Sequence, residues 1–464
     1  MLGDVSAASG PPIVRPARST PDLGRVFRGW QHFIDGLSGT GDVVAWSIGP
    51  MRETVFFHPD DVAEIFAGAG ANGPLGRTLM DGFQDHAQII GNNGLVMSEG
   101  PAWRKHRRIM QPGMHRQKVA QYVNAMVDLT ESTCDRWGEG ARVRMQREME
   151  QLTRRIMTRT LFGAGLSDAE SDEIKRVMDR QLRLNVIEFA VGNWLPPRVP
   201  TPLRRGLRRS SERLKSLFSA IVTRRLQEDG NERAARDADL LDMLLEARDD
   251  DGSPLPPQQV LDEMHNMYLG GYETSSNSLG FIGAILARDH ELQDRLAAEV
   301  AQAAGAGRLG FEHIAALPVT EAVVKETLRL YPPVFALPGH IVKTSVDIAG
   351  YTFAPGQRLV VCPYATQRDP RWFADPHQFR PDRWLDGSTD NIPRYAWMPF
   401  GGGPRLCYGQ PFAMAEMILV TAVMVRRFTF SLPPRAHREI RTTLSPSLML
   451  KVKNDAVVLT ARPT

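Results

Sequence analysis

Near the C-terminus one cysteine, Cys407, stands in the stretch Trp-Met-Pro-Phe-Gly-Gly-Gly-Pro-Arg-Leu-Cys-Tyr-Gly from Trp397 to Gly409. Its neighbours suit an exposed thiolate presented to a flat partner. Gly401, Gly402 and Gly403 permit positive φ and close approach of the backbone, and Pro404 stiffens the exit. Arg405, two residues before the sulfur, is a fixed cation able to pair bidentately with a carboxylate. From Gln410 to Leu419 the spacing is helical with Pro411 in the first turn, so the sulfur faces a helix N-terminus. Unpaired N–H groups and the positive end of the helix dipole favour the ionised sulfur, the form that ligates metal. The plain alternative is an inert buried cysteine beside a glycine-rich turn.

Phe400, Gly403, Arg405, Cys407 and Gly409 have the spacing F-x-x-G-x-R-x-C-x-G, which resembles the haem-ligand loop of the cytochrome P-450 monooxygenases. Five specified positions at about one chance in twenty each make an accidental match on the order of once in ten thousand such chains. The resemblance implies that Cys407 is the axial ligand of haem b and that Arg405 anchors a propionate.

Three more motifs follow that family's order. In Gln258 to Leu286, a window that reads as one long helix, Gly270-Gly271 costs about 1 kcal/mol per glycine relative to alanine. Glu273, Thr274 and Ser275 add polar groups beside Met267, Leu269 and Leu279. Such violations mark functional or strained positions; a packing notch with a chance polar surface is the alternative. The pattern resembles the family's oxygen-binding kink, [A/G]-G-x-[D/E]-T-[T/S], and implies that small residues leave room for O2 while Glu273 and Thr274 are the catalytic pair that manages protons. In Gly100 to Arg108, Pro101 can open a helix with Trp103 and Arg107 on one face. This resembles the W-x-x-x-R pair that holds haem propionates. Arg104, Lys105 and Arg108 would then form a basic face for an acidic electron-transfer partner, with a solvated charge cluster as the alternative.

Glu326-Thr327-Leu328-Arg329 and the later Phe379-Arg380-Pro381-Asp382-Arg383-Trp384 resemble the family's E-x-x-R and P-E-R-F elements, with Asp and Trp substituted. They imply a structural triad of Glu326, Arg329 and Arg383. His340 stands where the family usually has Arg, sometimes His, and is a further candidate propionate donor, a weaker one if neutral.

The elements that must position these residues are mostly helical. Asp42 to His58 alternates β-prone residues around Gly49-Pro50 and reads as a hairpin. Gly70 to Gly94 reads as a long loop with at most short helical turns; in the family this region lies over the haem. Lys118 to Phe162 and Ser167 to Val191 are helical, and the prolines between Trp194 and Pro202 interrupt. Arg204, Arg205, Arg208, Arg209 and Arg213 read as a solvated basic face opposite Leu203, Leu207, Leu214 and Leu217, with peripheral membrane contact as the second reading. In the family this is the lid. Ile341 to Val346 is β-prone, and Thr443 to Leu450 would supply one more pocket edge.

A chain of 464 residues, 42% hydrophobic and 23% charged, has an ordinary globular composition. Its three distant cysteines suggest no disulfide framework and fit a reducing cytoplasm. A net charge of +3 without an aromatic-interleaved basic stripe argues against a nucleic-acid partner. Nowhere do about 18 apolar residues run without charge, so no transmembrane anchor is expected. Residues 1–22 are expected to be a flexible tail, and residues 23–464 one haem-thiolate domain of mainly α fold with a small β part.

The resemblance implies a monomeric monooxygenase that inserts one oxygen atom from O2 into a hydrophobic molecule, with electrons from NAD(P)H through a ferredoxin or flavodoxin. Phe83, Ile90, Met267, Gly270, Val334, Phe335 and Leu448 would line an apolar pocket, which suits a terpenoid first and a fatty acid or polyketide next. The rival readings are a haem-thiolate isomerase or peroxygenase, and a non-catalytic haem-binding electron carrier or sensor.

Overall fold

Between Pro257 and Pro318 no proline breaks the chain, and here the longest helix forms, 30 residues from Pro257 to Leu286. The structure, a computed structural model, describes residues 2–6, 11, 13–16, 29–48, 51–70, 73–77, 93–163, 166–191, 199–229, 231, 238–249, 251–337, 339–445 and 447–462. The described residues are mostly helical with short strands, as the mainly α expectation requires.

In chain order the elements are β1 (Leu2–Ser6), β2 (Ile13–Pro16), α1 (Trp30–Ser38), β3 (Val43–Ile48), β4 (Met51–Phe56), α2 (Pro59–Gly68), β5 (Leu75–Arg77), α3 (Gly100–Met110), α4 (Arg116–Asp135), β6 (Arg142–Arg144), α5 (Met145–Phe162), α6 (Asp168–Val191) and α7 (Pro202–Gln227). There follow α8 (Leu240–Glu246), α9 (Pro257–Leu286), α10 (His290–Ala304), α11 (Pro318–Leu330), β7 (His340–Val342), β8 (Val346–Ile348), β9 (Tyr351–Phe353), β10 (Arg358–Val361), α12 (Pro363–Thr366), α13 (Gln410–Arg427), β11 (Phe428–Ser431), β12 (Thr442–Leu444), β13 (Leu450–Val452) and β14 (Ala456–Ala461). The chain divides into two compact units, Met1–Gln84 with Glu99–Pro101 and Lys325–Cys407, and Asp85–Ser98 with Ala102–Val324 and Tyr408–Thr464.

The first unit is built on a sheet of order β1-β2-β3-β4-β10-β7-β5. The expected hairpin is β3 and β4, antiparallel from Val43↔Phe56 to Ile48↔Met51. Val43, Phe56, Leu359, Val361 and Val342 of the sheet pack with Val62, Ile65 and Phe66 of α2 and with Met398. Fully burying each such side chain contributes about 1.5–3 kcal/mol. Of the first 22 residues, β1 and β2 pair antiparallel and β2 continues the sheet parallel to β3. The long loop expected over residues 70–94 contains β5, and residues 78–92, with Phe83 and Ile90, lie outside those described.

The second unit is a helical body in which α9 packs along α5 and α13 along α4. From Ser275 to Leu286 every residue of α9 is buried, so apolar and polar residues alike must find partners inside. The helical stretch expected from Lys118 to Phe162 is broken after Asp135, because Arg142–Arg144 leaves the helix to pair with β14.

Candidate functional site

The thiolate loop belongs to the first unit. After Phe400 the chain folds into a single 3-10 turn, Gly403–Arg405, and the Cys407 N–H donates to the Phe400 carbonyl at 3.0 Å. The glycines are needed because the loop lies directly on α2. A Cβ at Gly402 would come within 2.5 Å of the Phe66 and Tyr395 rings, and Gly403 has φ +61° with the Phe66 carbonyl 2.8 Å from its Cβ position. Cys407 is exposed, whereas Cys134 and Cys362 are buried. Burial pushes the Cys134 and Cys362 thiols up to about 12. Gly409, two residues beyond the sulfur, is the N-cap of α13. His340 opens β7, is buried, and lies edge-on to Phe66 with ring centroids 6.4 Å apart. Val334 and Phe335 are half-buried, and the Phe335 ring packs on Trp30 at 4.7 Å.

The same unit brings Glu326, Arg329 and Arg383 together. Glu326 accepts from Arg329 Nε and Nη2, both at 2.8 Å, and from Arg383 Nε at 3.1 Å. The Arg329 guanidinium also holds the carbonyls of Gln367, Pro376 and Gln378, and Arg383 that of Ala374. Phe373 lies beneath both guanidinium groups, at 5.0 and 5.9 Å. Trp384, the substituted position, donates its indole N–H to Glu326 Oε2 at 3.0 Å, a role the sequence did not reveal.

In the second unit the two glycines of α9 separate into two functions. A Cβ on Gly271 would lie 2.4 Å from Met157 Cε, so this glycine is a packing notch for α5. Among the described residues a Cβ on Gly270 would meet nothing within 4 Å. Thr274, one turn later on the Gly270 side, donates its hydroxyl to the Gly270 carbonyl at 2.8 Å, and Ser278 donates to the Thr274 carbonyl at 3.2 Å. Such back-bonding competes with the main-chain ladder and loosens it locally. Met267 is buried in the same helix, and Leu448 sits half-buried with φ +61° in the turn between β12 and β13.

Glu273 is 8% exposed and turned toward that β12–β13 turn. Burial pushes its carboxyl above the usual range, while the Ser447 hydroxyl bonded to it, with the Ser445 hydroxyl behind, pulls the other way. Ser445 and Ser447 were missed by the sequence reading, which took Thr443 to Leu450 only as a pocket edge. Deeper in the body Glu416 of α13 is fully buried, and burial pushes its pKa up to about 8 against the opposing pull of the Ser275 hydroxyl.

Trp103 and Arg107 share α3 as expected; Arg107 Nε donates to Gln111 at 3.1 Å and its guanidinium lies 5.7 Å from the Tyr408 ring. The basic face expected from Arg104, Lys105 and Arg108 is smaller than the sequence suggested, because Lys105 is paired with Asp249; Arg104 and Arg108 are exposed. Arg204 is also corrected: it is 4% exposed and donates through Nε to Glu188 at 2.7 Å, while Arg205, Arg208, Arg209 and Arg213 are exposed. A helix begun at Pro202 with Thr201 as its cap turns Arg204 onto the inner side with Leu207, a phase the charge pattern alone does not reveal.

These residues fit a thiolate-ligated haem. Among the described residues no group of three or more His, Cys, Asp or Glu could hold a bare metal ion. One exposed thiolate in a glycine cradle suits an iron whose other ligands come from a macrocycle. A model of the cytochrome P450 family matches residues 29–459, and the chain belongs to that family. It is therefore an oxygen-incorporating oxidoreductase. Over 420 residues it is 29% identical to a cyclooctat-9-en-7-ol 5-monooxygenase of Streptomyces melanosporofaciens, covering 88% of each chain. It is equally 29% identical to a pentalenene oxygenase of Streptomyces avermitilis, covering 87% of this chain and 88% of that one. Among solved structures it superposes on a retinoic-acid-bound cyanobacterial CYP120A1 with TM-score 0.80 at 21% identity, covering 94% of this chain and 96% of the other. Among the described residues no helix is long and apolar enough to cross a membrane.

Proposed function

We propose that the protein is a haem b monooxygenase that hydroxylates a cyclic terpenoid. The observation that carries the substrate class is its similarity along most of its length to two oxygenases whose substrates are cyclic terpenoids. Support within the chain comes from Gly270, where an added Cβ would meet no atom of the described residues within 4 Å, and from the apolar character of the expected pocket residues Met267 and Leu448. When bound through Cys407, the haem supplies the activation of O2, with the thiolate donating electron density to the iron.

The chain's own residues do the rest. Arg405, His340, Trp103 and Arg107 are the residues that would hold the haem propionates. Thr274 and Glu273 would hold and pass protons during O2 activation, through the Thr274 hydroxyl and the Glu273 carboxyl. Electrons come from NAD(P)H through a ferredoxin or flavodoxin, and Arg104 and Arg108 offer exposed cations to an acidic partner of that kind. Residues 23–464 act as one haem domain in a monomer, in the cytoplasm.

The test is an optical titration of the purified ferric protein with cyclic terpenes, fatty acids and steroids. A low-to-high-spin shift of the Soret band with the terpenes alone is expected. A shift confined to fatty acids would overturn the substrate class, and an iron that binds neither these compounds nor imidazole would overturn the monooxygenase reading. Cys407→Ser should abolish the red-shifted band of the reduced carbon monoxide complex, whereas Cys134→Ser and Cys362→Ser should retain it.

A further inference from the structure

We propose that Ser447 is a positioning residue for Glu273: with Ser445 it fastens the acid of α9 to the turn that carries Leu448, so the turn that meets substrate also sets the direction of the free carboxyl oxygen. The inference rests on the monooxygenase reading above and deepens it. Its basis is a chain of hydroxyls. The Ser447 hydroxyl donates to Glu273 Oε1, and Ser445 Oγ lies 2.6 Å from Ser447 Oγ. Ser445 Oγ in turn accepts the backbone N–H groups of Ser447 at 3.3 Å and Met449 at 3.2 Å. The turn is closed by Leu448 N–H donating to the Ser445 carbonyl at 2.9 Å and Ser445 N–H to the Met449 carbonyl at 2.8 Å. Leu448 is therefore the chain neighbour of the serine whose hydroxyl holds Glu273, and its own N–H ties it back to Ser445.

One carboxyl oxygen is thereby held. The other, Oε2, is buried and has no hydrogen-bond partner among the described residues. An unsatisfied buried acid oxygen is costly unless water or a passing proton uses it. Holding Oε1 fixes where Oε2 points, which is what a proton-passing group requires. Displacement of Leu448 by a bound ligand would pull on Ser447 and re-aim the acid, so pocket occupancy and proton handling share one mechanical link.

The surroundings fix the sign of the effect. Asp179 of α6, itself bonded by Tyr272 and Lys175, and Glu150 of α5, itself paired with Lys451 of β13, both disfavour the charged form of Glu273. The two serine hydroxyls favour it. Removing the Ser447 hydroxyl should therefore move Glu273 further upward.

The test titrates the protein by infrared spectroscopy, following the protonated-acid carbonyl band that Glu273→Gln deletes. In Ser447→Ala its midpoint should move up by about one pH unit, and Ser447→Thr, which keeps a hydroxyl, should restore it. During oxidase turnover without substrate, driven by a ferredoxin and its reductase, the pH profile of the water-to-hydrogen-peroxide ratio should move by the same amount. Adding Ser447→Ala to Glu273→Gln should move nothing further. An unmoved midpoint, or a threonine variant as perturbed as the alanine one, overturns the proposal. If Ser447→Ala does not fold, Ser447→Cys, a weaker donor of similar size, should shift the midpoint in the same direction, and failure to do so overturns it equally. A normal carbon monoxide complex alongside an unmoved midpoint would defeat this inference alone; loss of that complex in the unmutated protein would defeat the haem-thiolate reading instead.

Discussion

The hydroxyl of Thr274 donates to the carbonyl of Gly270 at 2.8 Å, one turn back along α9, where a Cβ at Gly270 would meet no atom of the described residues within 4 Å. A helix carbonyl that accepts a side-chain hydroxyl is a weaker acceptor for its own ladder partner. The alcohol and the open space it borders thus form one feature. Glu273, the next residue back, turns instead into the body toward Ser447.

Removing that hydroxyl should separate binding from chemistry. Thr274→Ala should leave substrate affinity within about twofold, since the methyl group it removes is small, yet increase the hydrogen peroxide released per NAD(P)H consumed severalfold. The check is to measure both quantities on one preparation. Coupling equal to that of the unmutated protein would remove Thr274 from the proton path.

The two neighbouring glycines should respond in opposite directions. Gly270→Ala enters open space and gains helix propensity of up to about 1 kcal/mol, so the protein should become slightly more stable while apolar ligands bind less well. Gly271→Ala drives a methyl group into Met157, 2.4 Å away, and overpacking of this kind costs about 1–3 kcal/mol, which exceeds the propensity gain. Denaturant midpoints of the two variants decide it. Destabilisation by both would show that the space at Gly270 is not open in solution.

How far the sequence spoke differs from residue to residue. The long helix, the β3–β4 hairpin and the thiolate loop were legible because proline placement, alternation and glycine spacing are local signals. Arg204 was misread because charge alone does not fix helical phase: its neighbours Arg205 and Arg208 are exposed while it pairs with Glu188 inside. Gly270 and Gly271 look equivalent in one dimension, yet only packing against Met157 separates them. Ser445 and Ser447 gave no signal at all, since their partner Glu273 lies more than 170 residues away and hydroxyl pairs carry no period.

Around Glu326 the prediction concerns stability. The carboxylate is fully buried between two guanidinium groups and the Trp384 indole. Removing its charge in Glu326→Gln leaves two buried cations poorly compensated and should cost about 3–5 kcal/mol. Trp384→Phe loses one hydrogen bond to a charged group and should cost about 1.5–3 kcal/mol. Both follow from denaturant unfolding of the haem-loaded protein. A tryptophan variant as damaging as the glutamine one would mean that indole packing, not the ionic centre, holds this corner.

Two buried groups should shape the pH dependence of stability from opposite sides. Glu416 is raised to about 8 from an ordinary 4.5, chiefly by burial. Its contribution is full below about pH 4.5 and is lost as pH rises toward 8, at about 1.4 kcal/mol per pH unit. His265 is lowered from 6.5 to about 4, again chiefly by burial, with Lys215 adding to the effect. Its stabilising contribution is full above about pH 6.5 and is lost as pH falls toward 4, by about 3 kcal/mol in all. Glu416→Gln keeps the shape of the neutral acid and removes its titration, so stability should stop falling between pH 6.5 and 8. Between pH 4.5 and 6.5, where the Glu416 loss offsets the His265 gain, it should now rise with pH; only below about pH 4.5 is the profile unchanged. Urea unfolding at half-unit pH steps measures both limbs. An unchanged slope above pH 6.5 in the glutamine variant would show that Glu416 is already ionised in the folded protein and that buried water solvates its carboxylate.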